Sequence, residues 1–526
     1  MTKTKKNFLF LLLILFSGYC SFTIGKGWDE GHLLKQGQIA INYLFSLGKI
    51  EGEIFRREFY SPIYYSLKYL FIQSFPIKYH IEASHITNLF FSFGVIIGLK
   101  KLCKEFFNGD VANIAFLILF FFPAFNGHMG LNSKDTIIAL CHVWIFYLCI
   151  QYLKKQSIED KKNEYLIYLA LFAAVGSGIN FFFLGSLLPV FVFILFDIFF
   201  KKKFTCSNFN NKKFLVDIFK CFLFFYILII VFWIDTHQNI ILLPIKFLSE
   251  WFFGDLWRGY PYILLNGEYF LYKEIPKSYL FITLIFKSPE YFLLTYVLFL
   301  IIYLHSKDFF AKKFQDFNYK LLPIISMVLF PFLLLLLTPF SIYDGLRHVL
   351  WMIPYTCVIP ALTIYFFFKK INYFISKVAL SSLIILVGYF LYNFLLITPY
   401  QYTYLNAYSG KIENRYKKFE NDYWGSSLKE LISKINLDKN SEINIATCGV
   451  ADDVVKEYFK KNGFKKIRYG NPNNSNYIIM TNRVTPLNTN VYKSENLINC
   501  FDKFEGQDIF KVSRNGMTLS VFRKIN

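Results

Sequence analysis

The chain is poor in charged residues, and this scarcity excludes most soluble folds. Only 18% of its 526 residues are charged, whereas 55% are hydrophobic and 21% are aromatic. Soluble globular domains carry about 25% charged residues. Apolar runs of roughly 17 to 25 residues, the length needed to cross about 30 Å of hydrocarbon, recur as far as Pro399 and not beyond it. The composition therefore predicts a polytopic α-helical membrane protein.

Acidic residues are outnumbered, with 36 Asp and Glu against 57 Lys and Arg and a formal net charge of +21. Such an excess of positive charge can indicate a nucleic-acid partner. Here the lysines lie in short loops between apolar runs, which is where the positive-inside rule places them in a membrane protein. Membrane orientation accounts for the charge, and no nucleic-acid partner is required.

The nine cysteines form no CxxC pair and no spacing typical of metal ligands. Most lie within apolar runs and are predicted to be small buried hydrophobic residues. Only Cys448 and Cys500 lie in the polar tail, where they can pair if the tail is outside the cytoplasm. The N-terminal apolar run resembles a signal peptide, but bulky Tyr19 precedes Cys20 where cleavage needs a small residue. We therefore predict an uncleaved first helix.

Positive charge in the loops also predicts the path of the chain. Lys3, Lys5 and Lys6 place the N-terminus in the cytoplasm, so the first helix, 7–24, ends on the opposite face. We predict about eleven membrane helices before the tail. The expected boundaries are a transmembrane domain at 1–409, long outer loops at 25–80 and 235–288, and further helices at 82–99, 110–124, 136–153, two within 164–200, 214–234, 289–304, 321–340, 349–368 and 378–397.

The tail, residues 410–526, has a polar composition. A capping-box pattern before Leu431, strand patterns near Ile443 and Tyr477, and an Asn515-Gly516 turn predict a small soluble α/β domain outside the cytoplasm. Nothing in its sequence indicates catalysis, so the tail is predicted to be a lid or a partner surface.

Two adjacent carboxylates and a histidine directly follow the first helix, in Gly27-Trp28-Asp29-Glu30-Gly31-His32-Leu33. One alternative is that Asp29 and Glu30 only cap the next helix, because acidic residues favour helix N-termini. The other is that a carboxylate here acts as a general base. Neighbours on a helix diverge by about 100°, so we predict Asp29 as the base and Glu30 as the residue that orients an acceptor or a cation. His32 is a secondary candidate.

Two cationic groups are candidates for binding a phosphate. In Asn132-Ser133-Lys134-Asp135, an Asn or Ser N-cap and a first-turn Asp are ordinary at a helix start. Lys134 is unfavourable there unless an anion lies near, and a phosphate would supply one. Arg347-His348 could clamp a phosphate or extend to lipid headgroups. In the predicted topology, all these acidic, basic and histidine-bearing loops fall on the non-cytoplasmic side.

Several short motifs together resemble those of the GT-C superfold, and within it the protein O-mannosyltransferase and aminoarabinose-transferase-like membrane glycosyltransferases. The likeness covers nearly the whole chain. Ser133 departs from it, because that branch has proline there, and Tyr60-Ser61-Pro62 lacks the histidine of related enzymes. The motifs are Trp28-Asp29-Glu30-Gly31-His32, Gly127-His128-Met129 with Asn132-Ser133-Lys134-Asp135, Asp344-Gly345-Leu346-Arg347-His348, Pro399-Tyr400-Gln401-Tyr402 with Tyr404-Leu405-Asn406, and Asp422-Tyr423-Trp424-Gly425.

The resemblance implies an inverting transfer from a polyprenyl-phosphate-linked sugar on the outer face of the membrane, taken here as the bacterial inner membrane. Asp29 would be the base, and the acceptor would be a protein, a lipid or a surface polysaccharide. A divalent metal ion is left open, with no ligands assigned. The residues expected to bind the donor phosphate are Lys134, Arg347 and His348, and those expected to line the site are His32, His128, Asn132, Asp135, Asp344 and Glu268.

Two other classes of function remain as alternatives. A transporter or flippase would carry charged residues inside several helices or inverted repeats, and neither is evident in the sequence. A receptor would have the tail as its working part.

Overall fold

The computed structural model describes residues 3–49, 61–253, 261–338, 341–488 and 494–525. Tyr60 and the aromatic segment 257–260 lie outside the described residues. The helices of the N-terminal part are α1 (Lys3–Thr23), α2 (Glu30–Phe45), α3 (Ile63–Ile72), α4 (His80–Phe106), α5 (Gly109–Phe121), α6 (Pro123–His128), α7 (Asp135–Lys155), α8 (Glu159–Ile179), α9 (Phe182–Ser186), α10 (Leu188–Phe196), α11 (Asn211–Phe232), α12 (Leu242–Phe253), α13 (Tyr279–Lys287), α14 (Glu290–Lys313), α15 (Phe317–Leu337), α16 (Ile353–Thr356), α17 (Val358–Lys369) and α18 (Phe374–Leu396).

The predicted polytopic helical fold is confirmed, but the predicted count of eleven spans is not. Among the described residues, six helical segments are long and apolar enough to cross a membrane, or seven if the bent pair α13 and Glu290–Ser306 is one span. The apolar parts of α1 and α5 are shorter, and the predicted pair within 164–200 is broken into α8, α9 and α10. The six segments are Ile77–Phe106, Asp135–Lys155, Asn211–Phe232, Phe317–Leu337, Arg347–Lys369 and Phe374–Leu396.

Lysine-rich loops meet at one end of the helical bundle. Lys203 pairs with Asp316 at 3.0 Å, Lys369 pairs with Asp110 at 3.1 Å, and Lys154 pairs with Glu105. These pairs join loops that are far apart in sequence. The ends of α1, α6 and α18 and the start of α7 lie at the opposite end of the bundle.

That opposite end is covered by α2, α3 and part of the 235–288 region. Within the predicted outer loop 25–80, α2 is a helix that buries Leu33, Ala40 and Ile41. At Gly37 a β-carbon would lie 2.2 Å from the Tyr65 carbonyl oxygen of α3, so this approach requires glycine. The 235–288 region is not an irregular loop, because α12, α13 and a β-hairpin lie within it.

The C-terminal part contains a five-stranded sheet with flanking helices. The hairpin of the 235–288 region consists of β1 (Tyr262–Leu265) and β2 (Glu268–Leu271). The elements of the C-terminal part are α19 (Leu428–Ser433), β3 (Ile443–Cys448), α20 (Asp452–Lys461), β4 (Ile467–Tyr469), β5 (Tyr477–Thr481), β6 (Val484–Pro486), β7 (Leu497–Asn499), α21 (Cys500–Lys503), β8 (Gly506–Arg514) and β9 (Met517–Ile525). The strand order in the five-stranded sheet is β4-β3-β5-β9-β8, with β3 parallel to both β4 and β5 and the remaining pairs antiparallel.

This sheet region is docked on the end of the helical bundle. The Gly25 backbone N–H donates to the Ser426 carbonyl at 2.9 Å, and Lys26 Nζ donates to Glu457 Oε2 at 2.8 Å. On the other side, Arg514 Nε donates to the Thr398 carbonyl at 2.9 Å. Both ends of the membrane part, α1 and α18, are therefore bonded to the C-terminal part.

Cys448 and Cys500 form a disulfide across 52 positions, and the seven other cysteines are free.

Thiol-reactive mass tags applied in denaturant should therefore add seven tags before reduction and nine after it. Because the bond closes a long loop, Cys500→Ala should lower the free energy of unfolding by about 4 kcal/mol. Cys206→Ala, at a half-buried free cysteine, is the control and should change it by less than about 1 kcal/mol. Nine tags without reduction would contradict the bond.

Candidate active site at the end of the helical bundle

Asp29 lies in the short connection between α1 and α2 and faces an arginine. Its carboxylate Oδ2 is 3.6 Å from Arg347 Nη1, and 34% of its side chain is exposed. Asp29 occupies the N-cap position of α2, but its side chain makes no capping hydrogen bond with the described residues. The carboxylate is therefore available to something other than the helix end.

Glu30 is turned away from Asp29 and is fully buried. Its carboxylate accepts hydrogen bonds from Ser84 Oγ at 2.6 Å, His85 Nε2 at 3.0 Å and the Gly27 backbone N–H at 3.3 Å. Burial favours the neutral acid, but the charge and hydrogen bonds of these partners outweigh burial and lower the pKa of Glu30 to about 2. Glu30 thus joins α2 to α4, and its contacts are structural ones.

Arg347 is the centre of the cluster and is buried between two aromatic rings. Its guanidinium lies 5.1 Å from the ring centre of Tyr343 and 5.4 Å from that of Trp424. Nη2 is 3.2 Å from Asp344 Oδ2, so the arginine links Asp29 to Asp344. Arg347 Nε and Trp424 Nε1 are buried donors without a partner among the described residues.

Lys134 lies beside Asp29 at the start of α7. The Asn132 side chain accepts from the backbone N–H groups of Lys134 and Asp135, both at 3.0 Å, and donates to Asp135 Oδ2 at 2.8 Å. The Asn132 side chain therefore satisfies two backbone N–H groups at the start of α7, where Lys134 occupies the N-cap position. Within the described residues, the Lys134 ammonium has no ion pair or hydrogen bond, so its charge remains available.

Positive charge dominates the surroundings of Asp29. Burial would raise the pKa of its carboxyl, but the charges of Lys134 and Arg347 lower it below the usual value. A carboxyl with a lowered pKa is ionised at neutral pH and can accept a proton. Burial, reinforced by the charge of the same arginine, lowers the pKa of His128 to about 3, so that histidine is neutral.

The remaining predicted residues divide into packed and exposed ones. His128 is fully buried; its Nε2 is 2.9 Å from the Tyr423 hydroxyl. His348 packs on Tyr343 with ring centres 4.6 Å apart, and its Nε2 has no partner among the described residues. His32 is exposed and bonds to Gln36, whereas Glu268 is exposed on β2. Within the described residues, Glu268 makes no ion pair with Arg347.

Two buried cations of the cluster were not predicted. Arg483 follows β5 and pairs with Asp344, with Nη1 2.7 Å from Oδ1. Lys287 ends α13, contacts the Tyr402 carbonyl at 3.4 Å and lies 5.9 Å from the Tyr423 ring centre. A polar side chain directly after an apolar strand was the available signal for Arg483. Arg483 belongs to the tail, whose sequence carried no indication of catalysis, and it contacts the candidate site through Asp344.

The motifs that carry the resemblance meet around Arg347. Gly27 is packed so closely that a β-carbon would lie 2.4 Å from the Trp424 ring. Asp422 accepts from the Ser426 and Ser427 backbone N–H groups, both at 2.9 Å, and from the Tyr402 hydroxyl, which fixes the turn that presents Trp424. Segments scattered from Gly27 to Ser427 thus form one packed unit.

Among the described residues, no group of three or more His, Cys, Asp or Glu side chains is arranged to hold a metal ion. The carboxylates of Asp29 and Asp344 are instead paired with arginine, and that of Asp135 accepts a hydrogen bond from the Asn132 amide. The divalent metal ion considered from the sequence has no ligand set in this part of the chain.

Comparison with solved structures identifies the fold. ArnT from Cupriavidus metallidurans in the apo state is similar with a TM-score of 0.52 and 9% identity over 99% of this chain and 98% of that chain. The same protein bound to undecaprenyl phosphate gives 0.50 with the same identity and coverage. The oligosaccharyltransferase of Archaeoglobus fulgidus in the apo form gives 0.48 with 10% identity over 91% and 69%. No family model matches the sequence, and no curated protein does.

The chain thus has the fold of ArnT along its whole length. This agrees with the resemblance of its motifs to the aminoarabinose-transferase-like branch. At 9% identity this likeness defines the fold alone.

Proposed function

We propose that the protein is a membrane glycosyltransferase that moves a sugar from a polyprenyl-phosphate donor to an acceptor hydroxyl, with inversion at the sugar. The observation that carries the proposal is the pairing of the half-exposed Asp29 carboxylate with the Arg347 guanidinium at 3.6 Å, beside Lys134. A base and cations for a departing phosphate are the groups that such a transfer needs.

The proposed reaction assigns one task to each charged group. The acceptor oxygen attacks the anomeric carbon and its proton passes to the Asp29 carboxylate. The bond between that carbon and the phosphate oxygen breaks, and the lipid phosphate leaves with the electron pair. Lys134 and Arg347 would stabilise its negative charge, and the unpaired donors Arg347 Nε and Trp424 Nε1 support a role in binding anionic oxygens.

We propose that the site faces the periplasm of a bacterial cell, with the N-terminus in the cytoplasm. The lysine-rich loops that pair through Lys203 and Lys369 lie at the other end of the bundle, and the positive-inside rule assigns that end to the cytoplasm. The disulfide between Cys448 and Cys500 supports an oxidising compartment for the C-terminal part.

The direct test of the function supplies right-side-out membrane vesicles or proteoliposomes with radiolabelled polyprenyl-phosphate sugars and a membrane extract as acceptor. Transfer of label to protein, lipid or polysaccharide supports the proposal and identifies the acceptor class. Accumulation of a labelled solute without a glycosyl product would favour a transporter instead.

Lys134 should contribute to binding of the lipid phosphate. Because its ammonium has no partner among the described residues, Lys134→Met removes a charge without leaving a carboxylate of its own unpaired. We expect undecaprenyl phosphate to bind the purified protein about tenfold more weakly, a loss of about 1.4 kcal/mol. Quenching of tryptophan fluorescence measures this affinity.

The control for this prediction is Lys377→Met, since Lys377 is an exposed lysine at the lysine-rich end of α18. Its affinity for undecaprenyl phosphate should equal that of the wild type. Equal affinity of Lys134→Met and the wild type would argue against Lys134 as a phosphate ligand.

A further inference from the structure

Arg483 reaches from the C-terminal part into the charged cluster. It is buried, with 4% of its side chain exposed. Its guanidinium donates to both carboxylate oxygens of Asp344, from Nη1 to Oδ1 at 2.7 Å and from Nη2 to Oδ2 at 3.4 Å. Its Nε donates to the Tyr423 carbonyl at 3.2 Å. A bidentate arginine–carboxylate pair of this kind fixes direction as well as distance.

Asp344 is shared between two arginines, and this sharing connects Arg483 to the base. Asp344 Oδ2 is 3.2 Å from Arg347 Nη2, and Arg347 Nη1 is 3.6 Å from Asp29. The charges therefore alternate along Arg483, Asp344, Arg347 and Asp29. A second connection is direct, because the Arg483 guanidinium lies 5.5 Å from the ring centre of Trp28, the residue before Asp29.

The backbone of Arg483 contacts the two segments that the Cys448–Cys500 disulfide joins. The Cys500 backbone N–H donates to the Arg483 carbonyl at 2.9 Å. A β-carbon at Gly449, the residue after Cys448, would lie 2.6 Å from the Arg483 β-carbon, so the two segments are in close contact. Gly449 has a φ of +69°, which glycine adopts without strain.

A second buried carboxylate, that of Glu420, also contacts Arg483. Glu420 Oε1 is 3.5 Å from Arg483 Nη1 and accepts the Val484 backbone N–H at 3.1 Å. Removal of the arginine charge would leave Arg347 as the cation that pairs with Asp344 among the described residues, with the buried Lys287 ammonium nearby. Arg347 would then be drawn toward Asp344 and away from Asp29.

We infer that Arg483 is a positioning residue: through Asp344 it sets the orientation of Arg347 relative to Asp29. This inference rests on the proposed function, because it assigns the C-terminal part a task in the same transfer. The tail is then neither a lid nor a separate module, since one of its side chains completes the charged array.

The test measures transfer of labelled sugar by full-length protein carrying Arg483→Met, Asp344→Asn or both. Arg483→Met should lower kcat about tenfold to hundredfold and change the donor KM by less than about threefold, because misorientation affects the transition state more than ground-state binding. The double variant should be no slower than the slower single variant, because both changes break one connection.

Arg523→Met is the matched control. Arg523 lies on β9 in the same sheet region and pairs with Asp508 at 2.6 Å, away from Arg347. The Arg523→Met variant should transfer sugar at the wild-type rate. If Arg483→Met does not fold, Arg483→Lys, which keeps the charge and loses the bidentate geometry, should give a three- to tenfold lower kcat.

The outcomes separate the two claims. Absence of transfer by the wild type would overturn the proposed function and the inference with it. Transfer by the wild type with equal rates for Arg483→Met and Arg523→Met, or with multiplicative losses in the double variant, would overturn the inference alone.

Discussion

Asp29→Asn is expected to lower the rate of sugar transfer by about a hundredfold to ten-thousandfold while the protein folds normally. The amide keeps the size of the side chain but cannot take the acceptor proton. Folding should be spared because the Asp29 carboxylate makes no capping hydrogen bond with the described residues and its contact with Arg347 is a half-exposed one at 3.6 Å. Loss of such a contact costs about 1 kcal/mol or less.

The measurement compares initial rates with labelled polyprenyl-phosphate sugar at saturating donor. Asp29→Glu is the informative companion, because it keeps the base but moves it by one methylene, and it should retain more activity than Asp29→Asn. Undecaprenyl phosphate should still bind Asp29→Asn, since that variant removes a negative charge from beside the phosphate. Near-normal transfer by Asp29→Asn would refute Asp29 as the base.

Glu30→Gln is expected to have the opposite phenotype, a loss of stability of about 3 kcal/mol at neutral pH. Three donors converge on the two carboxylate oxygens of Glu30, from Ser84, His85 and the Gly27 backbone. An amide replaces one oxygen by a further donor, so at least one of these hydrogen bonds is lost. Thermal unfolding of the purified protein in detergent measures the change.

The pH dependence of this stabilisation has a definite sign. The pKa of Glu30 is about 2 in the folded protein, below its ordinary value of 4.5. The stabilisation is therefore complete above pH 4.5 and is lost as the pH falls toward 2. Glu413→Gln, at an exposed glutamate, is the control and should change stability by less than about 0.5 kcal/mol. Equal unfolding temperatures for the two variants would contradict the network.

The two neighbouring acids illustrate what the sequence could and could not predict. A helix start after a membrane helix predicted that Asp29 and Glu30 diverge, and they do. Which of them faces the cations depends on how α2 is rotated against α4, and that rotation is set by Ser84 and His85 more than fifty positions away. The assignment of Asp29 as the base stays a prediction, and the Glu30 carboxylate is engaged in hydrogen bonds to Ser84, His85 and the Gly27 backbone.

The helices were predictable because their apolar runs are long and their lysines lie at one end. The number of spans was not predictable in the same way. Gly176-Ser177-Gly178 marks the turn near Asn180, but the further break at Leu187, between α9 and α10, lies in a continuous apolar run. Lys287 and Arg483 were missed for another reason. Each lies at the end of an apolar element where a solvated charge is the ordinary expectation, and only the tertiary fold buries them beside Asp344.

The charged array joins residues from nearly both extremes of the chain, with Asp29 made early in translation and Arg483 near its end. During synthesis Asp29, the proposed base, is made long before Arg483 has left the ribosome. Nascent and truncated chains should therefore be inert, and competence for transfer should arise only after the last strands have been made and folded.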